Sequence, residues 1–122
     1  MSNFIENRPW GSYEILSQFP VTEPGFFDSC IKKIVVNPEQ KLSYQSHKQR
    51  NEHWFFVQGE GKVILNGREI VVKVGSNVDI KIGDKHRVIN TSKNQDLIFI
   101  ESQTGHYDEN DIERFEDDYG RV

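Results

Sequence analysis

Polar and apolar residues alternate along most of this chain with the two-residue period of half-buried β-strands, not the 3.6-residue period of helices. Ser12–Leu16 sets Tyr13 and Ile15 on one face, and Phe19-Pro20 followed by Glu23-Pro24-Gly25 marks a loop. Phe26–Val36 reads as a long apolar strand that Asn37-Pro38 ends, because proline cannot donate to a ladder. Ser43–His47 and Glu52–Gln58 are the next two strands, and Gly59-Glu60-Gly61 turns the chain after them. Lys62–Leu65 and Arg68–Val74 flank Asn66-Gly67, the dipeptide best suited to a type I′ hairpin turn. Ser76–Ile82 and His86–Asn90 bracket Gly83-Asp84, and Leu97–Gln103 is the last strong strand. Asp108–Arg114 alone predicts a short helical segment, with acids in its first turn and Arg114 near its end. Many short strands joined by turns specify an all-β sandwich or barrel.

Composition agrees. Val and Ile together number 23 while Leu numbers 4 and Ala is absent, a balance that favours sheet over helix. With 122 residues the chain is expected to form one domain, residues 1–122, with a real core. The net charge of −4 argues against a nucleic-acid partner, which requires a positive field. No apolar run is long enough to cross a bilayer, and the first residues have neither the basic region nor the apolar core of a signal peptide. The lone Cys30 has no internal disulfide partner and fits a reducing compartment, so a cytoplasmic setting is expected, with Cys30 as a small buried side chain.

The candidate chemistry gathers in Leu42–Gly59. Gln45 and His47 are two apart and share a strand face, and Glu52, Trp54 and Phe56 share a face of the next strand. A tight polar loop between the strands can bring Gln45, His47 and Glu52 to one point. Amide oxygen, imidazole nitrogen and carboxylate oxygen are all metal-ligand atoms. His53 has the opposite parity and should face away, and His106 belongs to no ligand pattern.

A second motif completes the first: Gly75, five intervening residues, Lys81-Ile82-Gly83, then His86 and Asn90. Together the two motifs resemble those of the cupins, with Gln45 where most cupins carry a histidine and Lys81 where they carry proline. The resemblance narrows further along Arg8-Pro9-Trp10-Gly11, Ile31–Ile34, Leu42–His47, Arg50-x-Glu52-His53-Trp54, His86-Arg87, Ile100–Tyr107, Asp111-Ile112-x-Arg114 and Asp118–Arg121. These segments, in this order, are similar to the type II mannose-6-phosphate isomerases, usually the C-terminal domain of a bifunctional enzyme fused to mannose-1-phosphate guanylyltransferase. Lys48 and Gln49 stand where that family often has histidines, and Tyr107–Ile112 is one residue short of its pattern.

The resemblance implies a small jelly-roll cupin barrel holding a divalent ion (Zn, Mn, Co, Ni or Fe) on Gln45, His47, Glu52 and His86. It implies a sugar-phosphate substrate, interconversion of mannose 6-phosphate and fructose 6-phosphate through an enediolate, and a homodimer by analogy. Glu101 and Gln103 share parity with Leu97 and Phe99, so they should face inward, where an apolar setting raises a carboxyl pKa toward acid–base use. Glu101 serves as the base or pairs structurally with Lys32. Phosphate calls for cations, and Arg121, Arg87, Arg8 and Lys32 are the candidates, with Arg121 placed by the resemblance at the barrel mouth. Two other readings fit the same ligand set: an Fe(II) oxygenase using the two histidines and one carboxylate, or a sugar-binding regulatory cupin without catalysis.

Overall fold

Alternation becomes architecture through strand pairing. The computed structural model describes residues 4–19, 28–105 and 110–120. Its strands are β1 (Phe4–Arg8), β2 (Gly11–Phe19), β3 (Asp28–Val36), β4 (Tyr44–Ser46), β5 (Arg50–Gln58), β6 (Gly61–Leu65), β7 (Arg68–Val72), β8 (Asn77–Ile80), β9 (His86–Asn90), β10 (Leu97–Gly105) and β11 (Glu113–Glu116). They form two antiparallel sheets, one ordered β1-β2-β3-β10-β5-β8 and the other β11-β4-β9-β6-β7. Among the described residues no helix is long and apolar enough to cross a membrane.

The inner faces of the two sheets meet in a core rich in β-branched and aromatic side chains, as the composition requires. Trp54 and Phe56 of β5 pack on Phe99 of β10 with ring centroids 4.7 and 5.0 Å apart, and all three are fully buried. Burial of each such side chain contributes about 1.5–3 kcal/mol. Asn90, at the end of β9, joins the sheets: its amide donates to the Val36 carbonyl at 3.0 Å and the Gln95 carbonyl at 2.8 Å, and its oxygen accepts the Ser92 amide. The Asn66-Gly67 turn closes the β6–β7 hairpin with φ of 49° and 83°, the positive pair a type I′ turn demands.

The expected strands appear, most with ends shifted by one to three residues. Two elements differ. Phe4–Arg8 forms an edge strand paired along β2, a register that the mixed pattern FIENR did not reveal. The expected C-terminal helical segment is corrected: Asn110–Ile112 is not helical, and Glu113–Glu116 is strand β11, while residues 108 and 109 lie outside the described residues. The physical reason is the open edge of β4, which pairs Glu113 with Ser46 and Arg114 with Gln45. Ladder hydrogen bonds on a sheet edge outweigh the small helix preference of an isolated turn.

Candidate metal centre

The pairing just described brings one end of each sheet to a common point between them. Gln45 on β4 lies directly opposite His86 on β9 in one sheet, and His47 follows β4 immediately. From the other sheet, Glu52 on β5 lies opposite Gln103 on β10, and Glu101 lies between Trp54 and Lys32. His47, Glu52 and His86 are all buried, and one ligand atom of each falls within 4.8 Å of the others. The loop that carries His47 back to β5 closes tightly against β10. A Cβ at Gly105 would sit 2.3 Å from the Gln49 carbonyl oxygen, so glycine is required there.

The histidine tautomers decide what this cluster can hold. His47 Nδ1 lies 2.6 Å from the Asp111 carbonyl and His86 Nδ1 lies 2.9 Å from the Asp84 carbonyl. A carbonyl only accepts, so each Nδ1 carries the proton and each Nε2 presents a lone pair. Those Nε2 atoms face Glu52, at 3.2 Å from Oε2 for His47 and 4.0 Å from Oε1 for His86. Among the described residues His86 Nε2 has no hydrogen-bond partner. Burial, helped for His47 by the nearby Arg50 guanidinium, holds both imidazoles below their usual pKa, His47 at about 4. Two neutral imidazole lone pairs and a carboxylate therefore converge with no proton to share, an arrangement that fits a divalent cation. The carbonyl partners are the outer contacts that orient metal-binding imidazoles.

Gln45 stands beside the cluster, its Nε2 3.4 Å from His47 Nε2 and its Oε1 accepting from Ser43 Oγ at 2.6 Å. Its amide must turn over to offer oxygen to a metal, and the Ser43 hydroxyl can accept as readily as donate. Glu101 is buried beneath Glu52. Trp54 Nε1 donates to one oxygen of each carboxylate at 3.0 Å, and Gln103 Nε2 donates to Glu101 Oε2 at 2.6 Å. Burial and the adjacent Glu52 charge push the Glu101 carboxyl up to about 7, with Lys32 opposing them.

An adjoining cavity of about 100 Å³ is lined by Gln45 and His47 together with Arg8, Lys32, Arg50 and Arg114. Arg8 is ion-paired with Glu6, and both Arg8 and Lys32 lie over the Tyr13 ring, Lys32 Nζ at 4.4 Å from its centroid. Arg87 lies elsewhere. Its guanidinium donates to the Leu42 carbonyl at 2.7 Å and to Glu116 at 3.1 and 3.3 Å, fastening β11 to the outer side of β9. Gln103 faces Glu101 rather than the cavity. Arg121 and His106 lie outside the described residues. His53 faces away from the cluster, as its parity requires, and meets Asp79 at 2.6 Å and Asn77 at 3.0 Å.

Three residues of the site stand in the segments that carry the resemblance but were given no role there. Arg50 is two before Glu52 and so on its face, a signal the strand period carried. Arg114 and Asp111 are brought in only by β11. Both Asp111 oxygens accept backbone amides, from Lys48 and Gln49 at 2.9 Å each, while its carbonyl holds His47. Partial burial opposes ionisation of Asp111, but those amides hold its carboxyl below the usual range.

Two antiparallel sheets with a buried donor set of two histidines and a glutamate between them at one end define a cupin. The chain belongs to the family described as Mannose-6-phosphate isomerase C-terminal, whose profile matches residues 3–117. It is 40% identical over 116 residues to the alginate biosynthesis protein AlgA of Pseudomonas aeruginosa, covering 94% of this chain and 22% of that protein. It is 36% identical, over the same shares, to the mannose-1-phosphate guanylyltransferase ManC of Salmonella typhimurium. The chain thus spans about a fifth of the length of these curated relatives. In fold it is similar to the capsular polysaccharide assembling protein CapF of Staphylococcus aureus (TM-score 0.78, 19% identity, 93% of this chain and 34% of that one). It is also similar to KdgF from a Halomonas species (TM-score 0.68, 16% identity, 84% and 86%).

Proposed function

We propose that residues 1–122 act as one catalytic unit, a metal-dependent aldose–ketose isomerase that interconverts mannose 6-phosphate and fructose 6-phosphate. The observation that carries the reading is the pairing of an unprotonated donor set with a second buried carboxyl, Glu101, whose pKa stands near neutrality. His47, Glu52 and His86 would hold the ion, with Gln45 as the fourth ligand after its amide turns over. A bound divalent cation supplies Lewis acidity that stabilises the negative charge developing at the sugar oxygens.

The chain's own residues supply the rest. Glu101 takes the C2 proton as the C2–H pair becomes the C1–C2 double bond and the C1=O π pair moves to O1; the O2 proton then passes to O1, the pair left on O2 forms C2=O, and the C1–C2 π pair takes the proton back from Glu101 at C1. A carboxyl with pKa near 7 is suited to accept and release a proton at neutral pH. Trp54 and Gln103 hold its oxygens, so its position does not depend on the substrate. Arg8, Lys32 and Arg114 give the cavity the positive charge that a phosphate monoester requires. The family resemblance adds Arg121 as a further candidate cation for the phosphate. A second copy of the chain is the expected partner, and the half-exposed Phe55 and Val57 offer it apolar surface. The test is a coupled assay for fructose 6-phosphate with metal-stripped protein to which Zn, Mn, Co and Ni are added back separately. Activity restored by at least one ion is expected, and none with any ion that binds would overturn the isomerase reading. Oxygen uptake with Fe(II) would favour the oxygenase instead.

A further inference from the structure

Arg50 reaches the cluster from β5. Its Nε donates to Glu52 Oε2 at 3.0 Å, and its Nη2 lies 3.2 Å from His47 Nε2. The second contact is informative because His47 Nδ1 already carries the ring proton toward the Asp111 carbonyl. Nε2 therefore has one lone pair, and of the two donors beside it the Arg50 nitrogen is the nearer and the charged one, at 3.2 Å against 3.4 Å for Gln45 Nε2. A metal ion on His47 needs that same lone pair, and it cannot serve both. Glu52 is 4% exposed, and a buried carboxylate without a cation is strongly destabilising, so a positive group must accompany it whenever no metal does. The same guanidinium also lines the cavity beside Arg8, Lys32 and Arg114.

We propose that Arg50 is the resident cation of the metal-free cluster, that an entering metal displaces it from His47, and that the released arm turns to an anion in the adjoining cavity. Metal and anion binding are then coupled through one arginine. The inference rests on the reading of His47, Glu52 and His86 as metal ligands, and the anion is a phosphate monoester or inorganic phosphate. Coupling is reciprocal: whatever metal gains from phosphate, phosphate gains from metal. A purely structural Arg50, one that only holds the Glu52 rotamer, makes the opposite forecast, since its loss would loosen a ligand and weaken metal binding.

The test uses the full chain, wild type and R50Q, with Ni²⁺ affinity measured by chelator competition and inorganic phosphate affinity by calorimetry before and after one equivalent of Ni²⁺. R50Q should bind Ni²⁺ about tenfold more tightly than wild type, the size of one charge-assisted hydrogen bond no longer broken. The gain in phosphate affinity on nickel loading should be about tenfold smaller in R50Q than in wild type. If R50Q does not fold, R50K takes its place, because a lysine amine can meet Glu52 but lacks the second arm for His47, and its Ni²⁺ affinity should also exceed wild type. Wild-type protein that binds no Ni²⁺ would overturn the metal reading itself. Wild-type protein that binds Ni²⁺ while the variant binds it equally or more weakly would overturn the role of Arg50 alone.

Discussion

Glu101→Gln should make the metal-free protein more stable and the metal-loaded protein inactive, and the pH at which the stability appears can be stated. Folding raises the Glu101 carboxyl from 4.5 to about 7 through burial and then the neighbouring Glu52. A raised acid binds its proton more tightly when folded, so its contribution is complete below pH 4.5 and is withdrawn as pH climbs to about 7. The difference between those two values, at about 1.36 kcal/mol per pH unit, amounts to about 3 kcal/mol withdrawn by neutral pH. The glutamine of the variant has no such proton to lose. Its amide oxygen can still accept from Trp54, and its nitrogen can donate to Gln103 once that side chain turns its unpartnered Oε1 inward. The two proteins should therefore be equally stable near pH 4 and diverge to about 3 kcal/mol at pH 8, a melting difference on the order of 10 °C for a chain of this length. Denaturant melts in chelator from pH 4 to 8 measure it. His47 adds an opposite arm in both proteins: its pKa falls on folding from 6.5 to about 4, so its contribution rises with pH across that interval. His86, whose pKa burial also lowers, adds a rise of the same sign, so wild type should rise with pH less steeply than the variant between pH 4.5 and 6.5. Loss of the base should lower kcat by about 10²–10⁴-fold with metal present. Equal stability of the two proteins at pH 8 would refute the claim that burial holds Glu101 protonated near neutrality.

Other substitutions probe the remaining parts. H86A should abolish the metal-induced rise in melting temperature, which in wild type is worth about 2.7 kcal/mol at an ion concentration of about 100 Kd; an undiminished rise would place the ion elsewhere. D111A should weaken metal binding by about 10- to 100-fold, since it frees the loop that orients His47, and should speed amide exchange at Lys48 and Gln49. R87M should lower stability by about 2–4 kcal/mol through loss of its bonds to Leu42 and Glu116 while leaving KM within about twofold, and a large rise in KM would restore Arg87 to the substrate site.

Much of the fold was legible because one rule governed it. Leu97, Phe99, Glu101 and Gln103 alternate cleanly with half-exposed partners, and so their common inward face could be read directly. Asn66-Gly67 announced its own turn. Arg87 was named for phosphate on its charge, which says nothing of the face it occupies. At β9 the outer face is covered as well, and His86, Arg87 and Val88 are all buried. The Arg87 guanidinium is spent on the Leu42 carbonyl and on Glu116 of β11, the segment whose acids suggested a helix and whose strand state depends on the edge that β4 exposes. The resemblance marked Asp111 but not its role, because its contacts to His47, Lys48 and Gln49 span more than sixty residues and carry no local signature. The ligands themselves fell within two short motifs. The position of Arg50 beside them needed only its parity with Glu52.

The central claim is that this cluster moves a proton between adjacent sugar carbons. Proton NMR of mannose 6-phosphate incubated with metal-loaded protein in D₂O follows that proton directly. The expected result is fructose 6-phosphate whose C1 carries the hydrogen taken from C2, or deuterium where Glu101 exchanges with D₂O before returning it, formed with metal, absent in chelator and slowed about 10²–10⁴-fold by Glu101→Gln. Mannose 6-phosphate that stays unchanged while the ion is demonstrably bound to His47 and His86 would contradict the account.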